Sequence, residues 1–502
     1  MPLYTPKTIR IPRPSVNALT YQPKPPTDHR QFHRSLQRTE MKPQRLELQK
    51  DSFGSSKNKI ICLDEWATGA AHLGRKIEVD STPVKIDPQQ ALTCIETAFA
   101  HLRAHFIGRD AVLEQILYAL LTREHALIIG DRGLAKSRLA RSVFAQFEDA
   151  QPPFSLQLTR STSVGQLVGG LDLKQFERGT YVHNLDGYIV RAHFAFLDEL
   201  FDANDFVLRA LNGIMNEREF LNGPQIEPAA LHTAIATTNY IRDTRESRAV
   251  LDRLLFKCVV HRAESTLQRF AIRREFITSH GGTVGPLSGK AIPYAYLNKL
   301  SKIITGELPD QLIAVPPHVL VMLDQIISDF EREVSEKRSD ERFVYSDRSK
   351  NKAIHVIMAS ALRGGRNTAE VKDLAAMRFL IPTVGSPDEE EVFDHALDMT
   401  LKAITTRDRE SIDHAAAIVD LVNEAVERHR EGTLNEPNWS ERMKTRIGRW
   451  MHRDSGVTLG SLLEEARELH ADHSVTLKLK DEVLATIREA HERHHIAFEQ
   501  KL

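Results

Sequence analysis

A short apolar run, a glycine-bearing turn and a Lys-Ser pair follow one another between His125 and Ser137. Residues 126–129 predict a buried strand, and the apolar spacing after Lys136 predicts a helix. In such a strand–turn–helix unit, backbone N–H groups and the positive end of the helix dipole form a site for phosphate groups. The sequence therefore predicts an α/β fold that contains a phosphate-binding loop.

The residues predicted to bind the nucleotide form one continuous segment. They are Gly130, Asp131, Arg132, Gly133, Leu134, Ala135, Lys136, Ser137 and Arg138. Lys136 is expected to reach the β- and γ-phosphates, and the Ser137 hydroxyl is expected to bind Mg²⁺. Ala135 stands where the usual pattern has a second glycine, so a methyl group lies where the backbone approaches phosphate. Taken alone, the segment is also compatible with an ordinary turn between a core strand and a helix.

A second apolar run, residues 194–197, ends in two carboxylates, Asp198 and Glu199. The run fits an interior parallel strand, and ligands bind at the carboxyl ends of such strands. Asp198 is expected to complete the Mg²⁺ coordination, and Glu199 is expected to polarise the water that attacks the γ-phosphate. The alternative is a strand end with two solvated acids.

A third run, residues 233–238, is mainly apolar and ends at Asn239. From the tip of a neighbouring strand, the Asn239 amide is expected to hydrogen-bond the attacking water or the γ-phosphate. Asparagine is also a common first residue of a turn, so a purely structural role stays open. Together the three runs predict a site for ATP and Mg²⁺ at three strand tips, and hence ATP hydrolysis.

Several motifs in the same order resemble those of the MoxR family of AAA+ ATPases, and within it the RavA-like branch. The matching segments are residues 106–109, the phosphate loop with Ala135, and residues 197–204, 210–212, 215–220 and 345–349. The resemblance covers roughly residues 89–385. It implies a parallel-sheet AAA+ core at 89–262 and an α-helical lid at 263–385. Residues 386–502 depart from the resemblance, and their helical patterns predict a C-terminal extension.

The resemblance also implies roles for particular arginines. Arg348 is expected to be the sensor-2 arginine, which reaches the γ-phosphate bound by its own subunit; by residue type it is a first-turn residue behind a Ser346 N-cap. Arg253 matches the family's Asp-Arg-aliphatic pattern and is expected to act in the adjacent subunit's site, with Arg248 as the alternative. A solvated basic face is the other interpretation of this cluster. An arginine that acts on a neighbour implies a ring, expected to be a hexamer.

Two segments, residues 164–190 and 219–224, resemble the family's insertions. The first is expected to break the second helix of the core. The second contains Asn222-Gly223 between apolar residues, which predicts the tip of a hairpin. By resemblance both face the channel of the ring and contact the substrate, whereas by composition they are surface loops.

The overall composition gives no reason to expect nucleic acid or a membrane as the main partner. The chain has 67 Lys and Arg against 68 Asp and Glu, so it has no strong net field. No apolar run approaches the ~18 residues of a membrane span. Cys62, Cys94 and Cys258 lack metal or redox spacing, which favours a reducing compartment, and the cytoplasm is expected.

The two ends of the chain differ from the core. Residues 1–88 start with a basic stretch, in which the first fifty residues hold eight prolines and ten Lys or Arg against three acids. This stretch is expected to be disordered or to wrap along a partner, and a nucleic-acid arm stays open. Residues 411–430 carry an apolar helical stripe that stops at Gly432, and Leu479, Val483, Ile487, Ala490 and Ala497 continue with helical spacing. A helical extension packed on the lid is predicted.

The leading functional hypothesis is an ATP-hydrolysing, ring-forming remodelling chaperone of MoxR type. By resemblance, a von Willebrand factor A-domain protein is the expected partner. Two alternatives stay open: a nucleic-acid-associated AAA+ motor, and a nucleotide-gated scaffold with negligible turnover.

Overall fold

The computed structural model describes residues 86–242, 244–263, 265–278, 287, 289, 291–337, 346–380, 387–434, 457–500 and 502. The predictions for the basic Pro-rich stretch, for Cys62 and for Tyr345 lie outside the described residues. In the described ranges, no helix combines the length and the apolar character that crossing a membrane requires.

The β-strands fall mostly in the first half of the described chain. In order they are β1 (Ala126–Gly130), β2 (Phe147–Glu148), β3 (Phe154–Gln157), β4 (Phe194–Asp198), β5 (Glu219–Asn222), β6 (Gln225–Pro228), β7 (Thr233–Thr238), β8 (Phe256–Val260) and β9 (Ile292–Pro293). The three strands predicted from apolar runs are β1, β4 and β7. They are neighbours in a five-stranded parallel sheet of order β3-β4-β7-β1-β8.

Helices cover both faces of this sheet and continue to the C-terminal end. They are α1 (Pro88–His105), α2 (Asp110–Leu121), α3 (Lys136–Phe144), α4 (Val164–Val168), α5 (Leu173–Phe176), α6 (Asp205–Asn216), α7 (Arg245–Arg253), α8 (Thr266–Thr278), α9 (Tyr294–Ile304), α10 (Pro317–Lys337), α11 (Asp347–Arg363), α12 (Pro387–Ala403), α13 (Thr406–Glu431), α14 (Leu459–Glu468) and α15 (Ser474–His494). Short 3₁₀ segments lie at Leu200–Asp202, Pro309–Gln311 and Val371–Leu380.

The sheet separates two apolar layers because successive side chains of a strand point to opposite faces. Ile128 and Phe196 face the layer that contains α1, α2 and α3. Leu127 and Leu197 face the layer that contains α6 and α7. Strands buried on both faces explain the continuous apolar runs from which they were predicted.

Parallel strands give the sheet two chemically different edges. We call the edge where the strands end, at Gly130, Asp198 and Thr238, the carboxyl edge. The opposite edge, where β1 starts at Ala126 and β8 at Phe256, is the amino edge. With a rise of ~3.3 Å per residue, β1 separates the two edges by roughly 13 Å.

Helices α9, α10 and α11, which we call the lid helices, share the apolar layer of α1 and α2 through residues such as Leu300, Met322 and Ile357. Helix α11 is joined to the amino edge by an ion pair of 2.6 Å between Lys352 Nζ and Glu124 Oε2. Glu124 lies two residues before the start of β1, so the lid contacts the core at that edge.

The C-terminal helices form a separate apolar core and contact the lid. Ile418 of α13, Leu462 of α14 and Ile487 of α15 lie in this core. His318 Nδ1 at the start of α10 lies 2.8 Å from Asp413 Oδ2 of α13. The predicted stop of the first helix is confirmed, since Gly432 caps α13 with φ 74°. The predicted helical stripe was wrong at Ala497, because α15 ends at His494.

Candidate active site

The loop between β1 and α3 has backbone features that its sequence explains. A Cβ on Gly130 would lie 2.6 Å from the carbonyl oxygen of Val260, so the loop passes too close to β8 for a side chain. Gly133 has φ +81°. Ala135 also lies in the left-handed region, with φ 59° and ψ 23°, immediately before the first residue of α3. Because an L-residue pays about 1–2 kcal/mol there, the alanine is held in a strained conformation by its surroundings.

Lys136 lies in the centre of the site and its side chain is largely buried. Its Nζ donates to the carbonyl oxygen of Gly130, to that of Asp131 at 3.1 Å and to Asn239 Oδ1 at 2.7 Å. Burial lowers the pKa of this ammonium, and the nearby carboxylates Glu199 and Asp198 act in the opposite direction. The cation is therefore positioned over the loop by groups from two neighbouring strands.

Asp198 is held by hydroxyl groups from two sides. Ser137 Oγ donates to Asp198 Oδ2 at 3.2 Å, and Thr237 Oγ1 donates to Asp198 Oδ1. A hydroxyl and a carboxylate are hard oxygen ligands of the kind that Mg²⁺ takes, usually with one or two carboxylates and substrate phosphates. The residues present thus fit Mg²⁺.

Glu199 lies just past the end of β4, with φ 53° and ψ 52°. Its Oε1 accepts a hydrogen bond of 2.5 Å from the Asn239 side-chain amide. The strained backbone turns the carboxylate toward the tip of β7. The structure therefore brings together Lys136, Ser137, Asp198, Glu199 and Asn239, five of the residues that the sequence proposed for the site.

Thr237 was not singled out from the sequence, although it contacts Asp198. A signal for it existed: side chains two residues apart share a face of a strand, so Thr237 lies on the same face as Asn239. Tyr240 was also missed, and its hydroxyl donates to Asp202 Oδ1 at 2.5 Å. These contacts tie the tip of β7 to the turn after β4.

A cavity of about 780 Å³ lies next to the phosphate loop, along the outer side of β8. Its walls come from the start of α2, from β8 and its continuation, and from the lid side, including Gly108, Arg109, Lys257, Val259, Arg262 and Phe379. Arg262 connects the cavity to the loop through an ion pair of 3.1 Å with Asp131. Burial lowers the pKa of Lys257 to about 8. A cavity of this size can hold a nucleoside.

The predicted arginines lie at the other side of the sheet. Helix α7 runs back from the carboxyl edge, so its last residue, Arg253, lies near the start of β8 at the amino edge. Arg348 Nη1 donates to Asp252 Oδ2 at 3.0 Å, which places Arg348 at the same edge. Arg248 lies exposed on α7, between the two edges.

The expectation that Arg348 reaches the phosphate of its own subunit is not met by this geometry. The Ser346 N-cap of α11 is present, and its hydroxyl accepts from Ser349 N. However, Arg348 contacts the end of α7, and the phosphate loop of the same chain lies across the sheet at the carboxyl edge. The structure therefore separates Arg348 and Arg253 from Lys136 within one chain.

The two insertion-like segments are packed on each other. Between β3 and β4 the chain forms only the short helices α4 and α5, as the broken helix predicts, and β5 and β6 form the predicted antiparallel hairpin. Asn222 Oδ1 accepts from His183 N at 2.6 Å, and a Cβ on Gly223 would lie 2.0 Å from the carbonyl oxygen of Tyr181. Large apolar side chains project from this unit into solvent: Leu171, Leu173, Phe176, Tyr181, Leu221 and Ile226.

Comparison with known proteins agrees with this architecture. Residues 93–271 match the family model described as the MoxR domain in the MoxR-vWA-beta-propeller ternary systems, and residues 322–391 match that of the AAA lid domain. Two uncharacterised proteins of Methanocaldococcus jannaschii are similar in sequence. One is 27% identical over 290 residues, which is 57% of this chain and 69% of the relative. The other is 34% identical over 167 residues, which is 33% of this chain and 44% of the relative.

Among solved structures, an ATPase candidate from Cytophaga hutchinsonii shares 14% sequence identity with a TM-score of 0.48, covering 63% of this chain and 96% of its own. The first match contains the phosphate loop and the three strand tips, and the second contains most of α10 and all of α11. Residues 93–271 thus resemble a MoxR domain, and residues 322–391 resemble an AAA lid domain.

Proposed function

We propose that the chain is an Mg²⁺-dependent ATPase that works as a ring, expected to be a hexamer, and uses hydrolysis between neighbouring copies to remodel a client protein. The observation that carries the proposal is the separation of the site into two halves. Lys136, Asp198 and Glu199 lie at the carboxyl edge of the sheet, whereas Arg253 and Arg348 lie at the amino edge. A copy that supplies its arginines to the next copy's phosphate loop completes the site.

Each group at the carboxyl edge has a role in this scheme. The nucleoside occupies the cavity beside β8, and residues 130–138 surround the phosphates. Ser137 and Asp198 would hold Mg²⁺, which would supply positive charge to offset that of the phosphates. Glu199 orients and polarises the attacking water, and Asn239 aligns Glu199 with Lys136.

The arginines at the amino edge supply positive charge, which stabilises the negative charge that develops on the phosphoryl group in the transition state. Arg253 is our choice for the arginine finger, ahead of Arg248, because it ends α7 and directly follows Asp252, which binds Arg348. Such a finger is worth about 10³ or more in rate. Arg348 is assigned to the neighbour's site as well, in place of its own subunit's.

We assign contact with the client protein to the two insertion-like segments, residues 164–190 and 219–224, which are packed on each other. Their exposed apolar side chains, with Leu173 72% and Leu221 69% exposed, suit an extended apolar segment of a protein. A von Willebrand factor A-domain protein is the proposed partner, in line with the systems named in the matched family model. The RavA-like branch, suggested by Ala135, and a cytoplasmic location, suggested by the cysteine usage, belong to the same proposal.

The first experiment measures ATP turnover and particle mass together, at several protein concentrations, with and without ATP and Mg²⁺. Turnover per chain that rises as copies assemble supports a site shared between copies, and chelation of Mg²⁺ should stop it. A monomer with full turnover contradicts the shared site. Tight binding of ATP without turnover in any assembly favours the nucleotide-gated scaffold, and binding to DNA or RNA that weakens steeply with salt favours the nucleic-acid motor.

A further inference from the structure

The carboxylate of Asp252 occupies an unfavourable position in its own helix. It lies in the last turn of α7, one residue before the end at Arg253. A negative charge at the C-terminal end of a helix opposes the helix dipole, whereas the positive charge of Arg253 favours it. A residue that breaks a local rule of this kind is expected to gain something elsewhere in the structure.

The unfavourable position of Asp252 is compensated by its interactions with nearby cations. Its Oδ2 accepts the hydrogen bond of 3.0 Å from Arg348 Nη1, and both side chains are about one-third exposed, at 34% for Asp252 and 32% for Arg348. It also lies close enough to Lys257 to oppose the lowering of that lysine's pKa by burial. Asp252 therefore interacts with two cations from different elements, Arg348 of α11 and Lys257 of β8.

Arg253 is held differently, from within α7. Its Nη1 donates to the carbonyl oxygen of Ala249 at 2.6 Å. Its Nε is buried and has no hydrogen-bond acceptor among the residues that the structure describes. Two guanidinium groups are thus placed at one end of α7, one by the helix backbone and the other by the Asp252 carboxylate.

We propose that Asp252 is a positioning residue, which sets Arg348 beside Arg253 so that both guanidinium groups enter the neighbouring copy's site together. The proposal rests on the proposed function, because it requires a site shared between copies. Asp252 touches neither nucleotide nor water in this scheme. It acts by fixing the place of Arg348 before the two copies meet, which lowers the entropy lost when the site is completed.

The structure offers a matched control for this role. Glu124 forms an ion pair of 2.6 Å with Lys352, one helical turn beyond Arg348 on α11. Both carboxylates join the same lid helix to the amino edge, but Glu124 is not adjacent to Arg253 in the chain. If both ion pairs serve only to attach α11 to the core, removing either one should change kcat to the same extent.

The test compares Asp252→Asn, Asp252→Glu and Glu124→Gln in the full-length chain, by kcat, KM for ATP and particle mass. Asp252→Asn should lower kcat about tenfold or more with KM and assembly changed less than about twofold, since it displaces Arg348, whose charge is used in the transition state. Asp252→Glu, which keeps the carboxylate, should restore part of the loss. Glu124→Gln should leave kcat within about twofold and lower the thermal midpoint instead, because it leaves the Lys352 ammonium without its buried partner.

Mixing two variant chains shows whether Asp252 acts on the site of its own copy or on that of the neighbouring copy. Asp252→Asn chains have an intact phosphate loop, and Glu199→Gln chains have intact arginines and Asp252. A mixed ring contains sites that combine these two intact halves, so turnover should exceed the sum of the separate variants. The proposal is overturned if the mixture gives no such gain, if Asp252→Asn keeps the wild-type kcat, or if Glu124→Gln lowers kcat equally. Full turnover of Glu199→Gln alone overturns the proposed function itself, and the role of Asp252 with it.

Discussion

The side-chain amide of Asn239 donates to Oε1 of Glu199 across 2.5 Å. The oxygen of the same amide accepts from Lys136 Nζ at 2.7 Å. One side chain therefore joins the cation expected on the phosphates to the carboxylate expected on the water. Any displacement of Lys136 toward a phosphate acts on Glu199 through this amide, so binding and the alignment of the base are coupled.

Substitution of Lys136 and of Glu199 should separate binding from chemistry. Lys136→Ala is expected to weaken nucleotide binding about tenfold to a hundredfold or more, because a charged hydrogen-bond donor is lost. Glu199→Gln should bind ATP almost normally, yet hydrolyse it about 10²–10⁴ times more slowly. Binding is measured with a fluorescent ATP analogue and turnover by phosphate release. Wild-type turnover in either variant would refute the site assignment.

Removal of Arg253 should affect turnover without affecting binding. In Arg253→Ala, ATP affinity is expected to stay within about twofold, and turnover should fall about 10³-fold. Chains carrying Arg253→Ala and chains carrying Glu199→Gln should regain activity when mixed. Arg248→Ala is the control at an exposed position of the same helix. A larger loss in that control would exchange the roles of the two arginines.

Ala135→Gly should relieve the left-handed strain at φ 59°. The expected gain in the free energy of unfolding is up to about 1 kcal/mol, after the greater chain entropy of glycine is subtracted. Ala485→Gly, at an exposed position inside α15, is the matched control and should cost about 1 kcal/mol instead. Chemical denaturation measures both, and equal losses in the two variants would contradict the assigned conformation.

Gly223→Ala should disturb the contact between the hairpin and the segment around Tyr181. The added Cβ would lie 2.0 Å from the Tyr181 carbonyl oxygen. Gly179→Ala is the control, since Gly179 also has a positive φ, of +81°, but has no atom within 4 Å of the added carbon. Both variants carry the conformational cost of about 1–2 kcal/mol. Gly223→Ala should lose about 1–3 kcal/mol more by collision, seen as the lower thermal midpoint of the two.

The stability of the protein should rise between pH 8 and pH 10.5, in part because of Lys257. Its pKa is lowered by burial from 10.5 to about 8, so within this window the unfolded chain binds a proton that the folded chain has lost. Lys257→Met should flatten that part of the curve of unfolding free energy against pH. Lys402→Met, at a side chain that is 76% exposed, should leave the curve unchanged. Parallel curves for the wild type and Lys257→Met would contradict the lowered pKa of Lys257.

The carboxyl edge of the sheet could be predicted well because its signals are local. Apolar runs identified β1, β4 and β7, and parallel strands end at a common edge, so Lys136, Asp198 and Asn239 were expected to meet. Thr237 escaped notice because a threonine inside a strand is an ordinary β-former. Its position two residues before Asn239 was the only available sign.

The amino edge could not be predicted in the same way because its contacts are distant in sequence. The start of α11 was readable from Ser346, whereas the place where α11 packs depends on partners far along the chain. Asp252 lies 96 residues from Arg348, and Glu124 lies 228 residues from Lys352. The end of α15 was missed for a local reason: the residue at its left-handed cap is His495, where glycine or asparagine would have signalled the stop.

The two half-sites lie at opposite edges of one sheet, and this determines how many complete sites an assembly of copies contains. A contact that joins the carboxyl edge of one copy to the amino edge of the next is head-to-tail, and repeats without pairing the same surface with itself. An open row of such copies always leaves one phosphate loop at its end without arginines, and one pair of arginines without a loop. Only closure removes both ends, so the last copy to join creates two working sites where every earlier one after the first created one.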